Sequence, residues 1–340
     1  MRALVCDRHG PVADVALREI DEPPAPGPHD VTIEIAHASV SHSTRLLIEG
    51  TYQSRPPLPF VPGTEAVGCV IACGDAVTRL APGDAVVAVA RWGCFAQRLT
   101  LPEYTVYPLP EGLDPLAALP IPISYGTAFT ALHWRAHLQP GEAVLVLGAG
   151  SGVGLAAVEV AAASGASVIA CASSAEKRDA ALAAGAAHAI AADPELAATV
   201  KRLTRGEGAD IVFDPLGGSA FERSVRAAAG NARLLSIGFA SGQVPAVPLN
   251  LLLVKNLTLH GFFFGRYTGW TPTDERIVHA PALQRAMQTL LEWARDGRIR
   301  PAVTKVYPAR DLAEAVEALE SRRVVGKVAL EIDQREETRP

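Results

Sequence analysis

The sequence predicts an α/β chain in which a doubly wound parallel sheet stands beside a second, β-rich domain. Three observations predict it. The chain has 340 residues, more than a single hydrophobic core usually serves. Its first third is rich in Pro and Gly, with short β-branched runs between turn clusters. From about Tyr125 onward, six apolar runs alternate with Ala-rich helical patterns, the rhythm of parallel strands joined by crossover helices.

In chain order, Val31–Ile35, Val67–Ala72 and Asp84–Val89 read as strands, set between turn clusters such as Glu22–Pro28 and Gln53–Pro62. The six strands of the parallel sheet are expected at Ala143–Leu147, Ser167–Ala172, Ala187–Ile190, Ala209–Asp214, Ala232–Ile237 and Leu257–Phe262. Helices carry their own punctuation: Ser174 precedes Ala175–Ala184 as an N-cap and Gly185 follows as a stop. The last third returns to helices at Pro281–Asp296 and Ala309–Glu320 and a strand at Lys327–Ile332, with a polar, fraying Gln334–Pro340. No repeat or low-complexity linker interrupts the chain, so the first and last segments are expected to pack together around an inserted αβ domain.

Composition narrows the function. With 31 Lys+Arg against 36 Asp+Glu, a net charge of -5 and no basic run, neither nucleic acid nor an anionic membrane is expected as the main partner. Small-molecule chemistry is the default. Five scattered cysteines (Cys6, Cys69, Cys73, Cys94 and Cys171) and an opening without a basic-then-apolar signal segment read as a reduced, cytoplasmic protein. Between Ala143 and Ala172 the only charge is Glu159, but Gly148, Gly150, Gly152 and Gly154 divide that stretch as strand, turn and helix rather than as a membrane span.

Those glycines mark the first candidate site. After the strand at Ala143–Leu147 come Gly148, Ala149, Gly150, Ser151, Gly152, Val153 and Gly154, and then an apolar helix. A helix starting there turns free backbone N–H groups toward an anion, and small side chains let a pyrophosphate come close. A strict Gly-x-Gly-x-x-Gly fits no register, so the position at the first strand-to-helix turn of the αβ unit supports the assignment. At the end of the second strand an acidic residue would grip both ribose hydroxyls of NAD; here Ser173, Ser174, Lys177 and Arg178 follow instead, which points to a 2′-phosphate and to NADPH. The same two cations would also suit the solvated face of a helix.

Several longer stretches resemble the medium-chain dehydrogenase/reductase superfamily, specifically its zinc-free NADPH:quinone oxidoreductase branch. They are Leu58–Gly68 (LPFVPGTEAVG), Tyr125–Ala128, Asp214–Gly218, Ile237–Gly242, Pro248–Asn256 and Gly326–Val328, and the resemblance spans nearly the whole chain. It implies a GroES-like catalytic domain at 1–122 completed by 262–340, a Rossmann domain at 123–261 and a homodimer. It further implies that Ala149, Gly150, Ser151, Gly152 and Val153 hold the pyrophosphate and that Ser173, Lys177 and Arg178 hold the 2′-phosphate. Thr127, Gly238, Phe239 and Phe264 would flank the nicotinamide, with Lys327 among the cofactor residues. Ser151, Ala192 and Phe264 depart from residues usual in that branch.

Zinc alcohol dehydrogenases of the same superfamily carry Cys, His and a further Cys or acid as ligands. Here Thr64 stands at the His position, and Val40–Thr44 offers His42 but no cysteine. No metal is expected. Without a metal to polarise an alcohol, hydride transfer needs an electron-poor acceptor, a quinone or an activated C=C bond. Ser41 and Thr44 stand where the branch commonly has Asn and Asp lining the pocket, and Tyr52 is the candidate donor to a developing oxyanion. The competing readings are a quinone reductase, a 2-enoyl reductase in which Tyr52 protonates the product, and a non-catalytic NADPH-binding sensor.

Overall fold

The computed structural model describes residues 1–321, 324 and 326–332. The strands are β1 (Arg2–Val5), β2 (Ala16–Glu19), β3 (Asp30–Val40), β4 (Glu65–Cys73), β5 (Ala85–Val89), β6 (Arg98–Pro102) and β7 (Val106–Pro108), then β8 (Ala143–Leu147), β9 (Ser167–Ala172), β10 (His188–Ala191), β11 (Ala209–Asp214), β12 (Ala228–Ser236), β13 (Thr258–Gly261), β14 (Val303–Pro308) and β15 (Lys327–Glu331). The helices are α1 (His42–Glu49), α2 (Pro115–Ala118), α3 (Gly126–Thr130), α4 (Gly152–Ala163), α5 (Ala175–Ala183), α6 (Leu196–Leu203), α7 (Gly218–Ala227), α8 (Leu249–Lys255), α9 (Arg276–Arg295) and α10 (Leu312–Glu320). The chain divides into two compact units, one of residues 1–123, 265–296 and 301–340, the other of 124–264 and 297–300. The expected Gln334–Pro340 tail lies outside the described residues.

In the second unit a six-stranded sheet runs in the order β10-β9-β8-β11-β12-β13, every pairing parallel. Its central strands are apolar along their length rather than alternating. Val144–Leu147 and Ile211–Phe213 are buried throughout, as strands with both faces covered must be. The flanking strands β10 and β13 are largely exposed. Three strands differ from expectation. Strand β10 lies one residue later, β13 is one residue shorter at each end, and β12 ends one residue earlier and starts four residues earlier, running through Gly230 and a left-handed Asn231 that read as a turn.

The first unit holds a mixed sheet, β14-β15-β3-β4-β5-β7, with β6 paired to β3, and a small β1-β2 ribbon. Long β3 organises it: Val31, Ile33, Ile35, Ala38 and Val40 are fully buried and pack with Val70, Val86 and Ala88 of β4 and β5 and with Val328 and Leu330 of β15. The antiparallel β15–β3 ladder, Val328 opposite Val40 through Glu331 opposite His37, ties the end of the chain to its beginning. Helix α9 starts at Arg276, five residues before the expected Pro281, which sits inside it. Asp274 accepts from the Arg276 N–H at 3.0 Å and Glu275 pairs with Arg266 at 2.7 Å, anchoring the start of the helix ahead of the proline. The glycine-divided stretch at 143–172 folds as β8, α4 and β9. Among the described residues the helical stretch Pro115–Arg135 is long and apolar enough to cross a membrane, and 72% of its apolar window is buried inside the protein.

Two buried ionisable groups hold turns and strands in place. In the first unit Glu65, with no exposure, receives Lys327 Nζ at 2.9 Å and the Ile123 N–H at 2.8 Å, while Lys327 also donates to Ser39 Oγ at 3.2 Å. In the second, the buried Asp214 carboxylate closes the β11–α7 turn by accepting from the Leu216 N–H at 2.9 Å and the Gly217 N–H at 3.0 and 3.1 Å.

Two outcomes follow from these groups. Lys327→Met leaves the Glu65 charge buried and unpaired and should destabilise the protein by about 3–5 kcal/mol in denaturant melts, with Glu65→Gln in the same chain recovering much of the loss. Burial pushes the Asp214 carboxyl up to about 6, against the opposing pull of the Leu216 and Gly217 N–H groups. Because its folded pKa lies above the ordinary aspartate value, its contribution to stability is fully present below about pH 4 and is lost as pH rises through about 6. The difference in unfolding free energy between wild type and Asp214→Asn should therefore shift against the wild type by on the order of 1–3 kcal/mol between pH 4 and 7; a flat difference would contradict it.

Candidate functional site

The phosphate-binding candidate is built where β8 meets α4. Ser151 is extended and caps the helix: its Oγ accepts from the Gly154 N–H at 3.2 Å and donates to the Gly148 carbonyl at 2.8 Å. Gly152 and Val153 then supply first-turn N–H groups, which an α-helix leaves without acceptors of its own. Close packing dictates the small residues. A Cβ on Gly154 would run into the Gly148 carbonyl oxygen, and one on Gly150 would lie 2.6 Å from Lys177 Cβ and Cγ. The Ala149 N–H donates to the Cys171 carbonyl at 3.1 Å, locking the turn to the end of β9.

The residues after β9 converge on the same turn. Ser174 caps α5 by accepting from the Lys177 N–H at 3.3 Å, and this cap aims the aliphatic stem of Lys177 across Gly150. Arg178 Nη1 donates back to the Ala172 carbonyl at 3.3 Å, and Ser173 is exposed between them. The hydroxyls of Ser173 and Ser174 directly follow β9, and Glu176, Lys177 and Arg178 come after them in the first turn of α5. Leu216, after β11, packs within reach of Gly148, and the loop after β12 joins it: the Ala240 N–H donates to the Pro215 carbonyl at 3.1 Å and the Ser241 N–H to the Leu216 carbonyl at 3.0 Å. Residues 148–153, Lys177, Leu216 and the 238–241 loop thus form one continuous rim, from which Phe239 projects half exposed. Thr127 in α3 and Phe264 after β13 are buried in the same unit. Leu216 is the member of this rim that the sequence reading left without a role.

The candidates in the first unit divide by environment. Ser41 and Thr44 are spent on the start of α1, where the Ser41 N–H donates to Thr44 Oγ1 at 3.1 Å in a capping box, Ser41 Oγ pairs with Ser43 Oγ at 2.8 Å, and Thr44 is fully buried. Lys327, expected at the cofactor, has its ammonium engaged by Glu65 and Ser39. Tyr52 is largely buried, edge-on to Trp270 with ring centroids 6.5 Å apart. Burial pushes its phenol above the ordinary value, against a hydrogen bond with Gln53. The Trp270 indole N–H, also buried, has no partner among the described residues. His42 is held by Glu320 Oε1 at 2.7 Å, and Thr64, at the expected zinc-ligand position, is fully buried. Among the described residues no three His, Cys, Asp or Glu side chains are grouped to hold a metal ion.

Comparison with known proteins agrees with this architecture. Residues 27–111 match the alcohol dehydrogenase GroES-like domain and residues 152–279 the zinc-binding dehydrogenase family. The chain is 33% identical over 323 residues to the quinone oxidoreductase-like protein 2 of Rattus norvegicus, covering 94% of this chain and 88% of the relative. Among solved structures it is similar to the quinone oxidoreductase of Thermus thermophilus, at 32% identity and a TM-score of 0.81 over 97% of this chain and 100% of that one. It is also similar to the Escherichia coli quinone oxidoreductase complexed with NADPH, at 26% identity and a TM-score of 0.85 over the same shares. With whole-chain coverage, both domain matches and a nucleotide-type turn in the expected place, the protein belongs to the quinone oxidoreductase family of the medium-chain dehydrogenase/reductase superfamily of oxidoreductases.

Proposed function

We propose that the protein is a zinc-independent, NADPH-dependent reductase that delivers hydride to a quinone or a similarly electron-poor acceptor. The observation that carries the reading is the Lys177 stem lying across Gly150, which sets a cation at a pyrophosphate-shaped turn where serines rather than an acid directly follow the strand. The NADPH-bound Escherichia coli relative supports the same cofactor. The turn fits such a group: Cβ atoms at Gly150 and Gly154 would close it.

Bound there, NADPH supplies the hydride. The chain's part is to hold and orient. Ala149–Val153 would receive the pyrophosphate on first-turn N–H groups, Ser173, Lys177 and Arg178 the 2′-phosphate, and Thr127, Gly238, Phe239 and Phe264 the nicotinamide face. With an enone Tyr52 would donate a hydrogen bond to the acceptor oxygen as charge develops on it, whereas with a quinone solvent can supply the proton. The raised pKa of Tyr52 keeps the phenol proton in place at neutral pH. Zinc does not fit the residues present: Thr64 is a poor ligand, His42 is committed to Glu320, and the described residues group no third donor.

The second unit also presents an apolar surface. Leu249, Leu253 and Val254 of α8 are exposed by more than two thirds, Leu259 and Phe263 flank the open edge of β13, and an unpaired strand edge invites another strand. This supports a homodimer built on that face. The cysteines, all free, suit a reducing compartment and a cytoplasmic location.

Chelator-treated protein should oxidise NADPH anaerobically with a simple quinone, at a rate at least about tenfold above that with NADH. Tyr52→Phe should cost little with the quinone and about 10²-fold with an enone that needs a positioned proton. Turnover with an enone alone would establish an enoyl reductase instead, and silence with both would leave a nucleotide-binding sensor. Sedimentation velocity should give twice the chain mass, and Leu253→Glu with Leu259→Glu should halve it; an unchanged dimer would place the interface elsewhere.

A further inference from the structure

The main chain at Tyr52 is fixed on both sides. Helix α1 ends at a left-handed Gly50, and the Thr51 and Tyr52 N–H groups both donate to the Leu46 carbonyl, at 2.9 and 3.1 Å. Two residues further on, Arg91 Nη2 donates to Ser54 Oγ at 2.5 Å and holds the loop to the end of β5. With the backbone fixed, the phenol's direction is a choice among a few side-chain rotamers, and the neighbours of the ring make it. The Tyr52 ring packs against the core of the first unit and, edge-on, against Trp270, at 76° with centroids 6.5 Å apart.

Trp270 comes from a distant segment of the same unit that is clasped at its base. Arg266 grips Glu275 with two hydrogen bonds, Nε to Oε2 at 2.7 Å and Nη2 to Oε1 at 3.1 Å. Within that clasp the Trp270 N–H donates to the Gly265 carbonyl at 2.8 Å, and Gly269 turns with φ +82° where a Cβ would meet the Arg276 side chain. The loop so formed buries the indole, although the ring N–H finds no partner there among the described residues. If filling space were the whole requirement, a ring without a polar atom would meet it free of that cost. What an indole adds over a phenyl ring is size, and the ring it meets is Tyr52.

We propose that Trp270 is a positioning residue for Tyr52, its indole directing the phenol so that the hydroxyl can donate to the oxygen of an enone acceptor. The assignment rests on the role given to Tyr52 above and makes the 265–276 loop a determinant of which acceptor is reduced.

The test is a cycle of variants of the full chain, Trp270→Leu, Tyr52→Phe and the two combined. Anaerobic reduction of a simple enone and of a simple quinone by NADPH is measured, each rate taken per mole of NADPH bound so that unfolded protein drops out. Trp270→Leu should lower the enone rate about tenfold relative to the quinone rate, and Trp270→Phe, which keeps an aromatic ring, should recover part of the loss. In the Tyr52→Phe background, Trp270→Leu should change the enone rate by no more than about twofold, because the hydroxyl it directs is gone. Trp270→Phe is run in both backgrounds as well, so the outcome does not depend on the leucine variant folding. Losses that add fully, equal losses with both acceptors, or no loss on changing Trp270 would overturn the role of Trp270 and leave that of Tyr52 standing. A Tyr52→Phe variant as fast as wild type with the enone, or a wild type that reduces no enone, would overturn the Tyr52 reading and the proposal with it. For a wild type that reduces the enone alone, additivity of the enone losses decides by itself.

Discussion

A Cβ on Gly154 would collide with the Gly148 carbonyl, and one on Gly150 would displace the stem of Lys177; the rest of the nucleotide-binding unit is arranged around that lack of space. Because the turn is this tight, α4 can begin at once after β8, with its first N–H groups turned toward the strand ends rather than covered by side chains. Ser151 keeps the turn closed from both sides, accepting from Gly154 and donating to Gly148. The Ala149 N–H ties it to β9, and Leu216 packs over it from β11. Three strand ends thus share one small volume.

The two units solve different physical problems. In the parallel sheet the strands are buried on both faces, so stability comes from continuous apolar runs, and the exposed strand ends are left for binding. In the β-rich unit the chain returns from residue 301 onward to complete a sheet begun at residue 30, and the buried Glu65–Lys327 pair joins the two ends. Such a pair adds little net stability over an apolar substitute, but it makes the unit intolerant of losing either partner alone. That explains why a lysine expected at the cofactor is committed inside the fold.

The cations beside the glycine turn are placed by local structure. Lys177 and Arg178 sit three and four residues beyond the Ser174 cap, so α5 itself delivers them to the phosphate turn. Ser41 and Thr44 show the converse: polar residues in a pocket position become helix caps once their oxygens have closer backbone donors.

By itself the sequence determined the class of fold, the six parallel strands and the phosphate turn, because each rests on local signals: apolar runs of strand length, glycine at a strand-to-helix turn, serine ahead of a helix. It also located the cations of α5, since Ser174 marks the helix start and Lys177 and Arg178 follow in its first turn. Boundaries went astray where a turn signal lay inside an element, at Gly230–Asn231 in β12 and at Pro281 in α9, because pairing and side-chain anchors overrode local propensity. Only the tertiary structure decided which polar groups are already taken and which are left over. Lys327 is consumed by Glu65, His42 by Glu320, and Ser41 and Thr44 by each other, while the buried Trp270 indole N–H has no partner among the described residues. Partners that lie tens to hundreds of residues apart leave no periodicity to read. Their choice follows from burial and distance, which exist only in the folded chain.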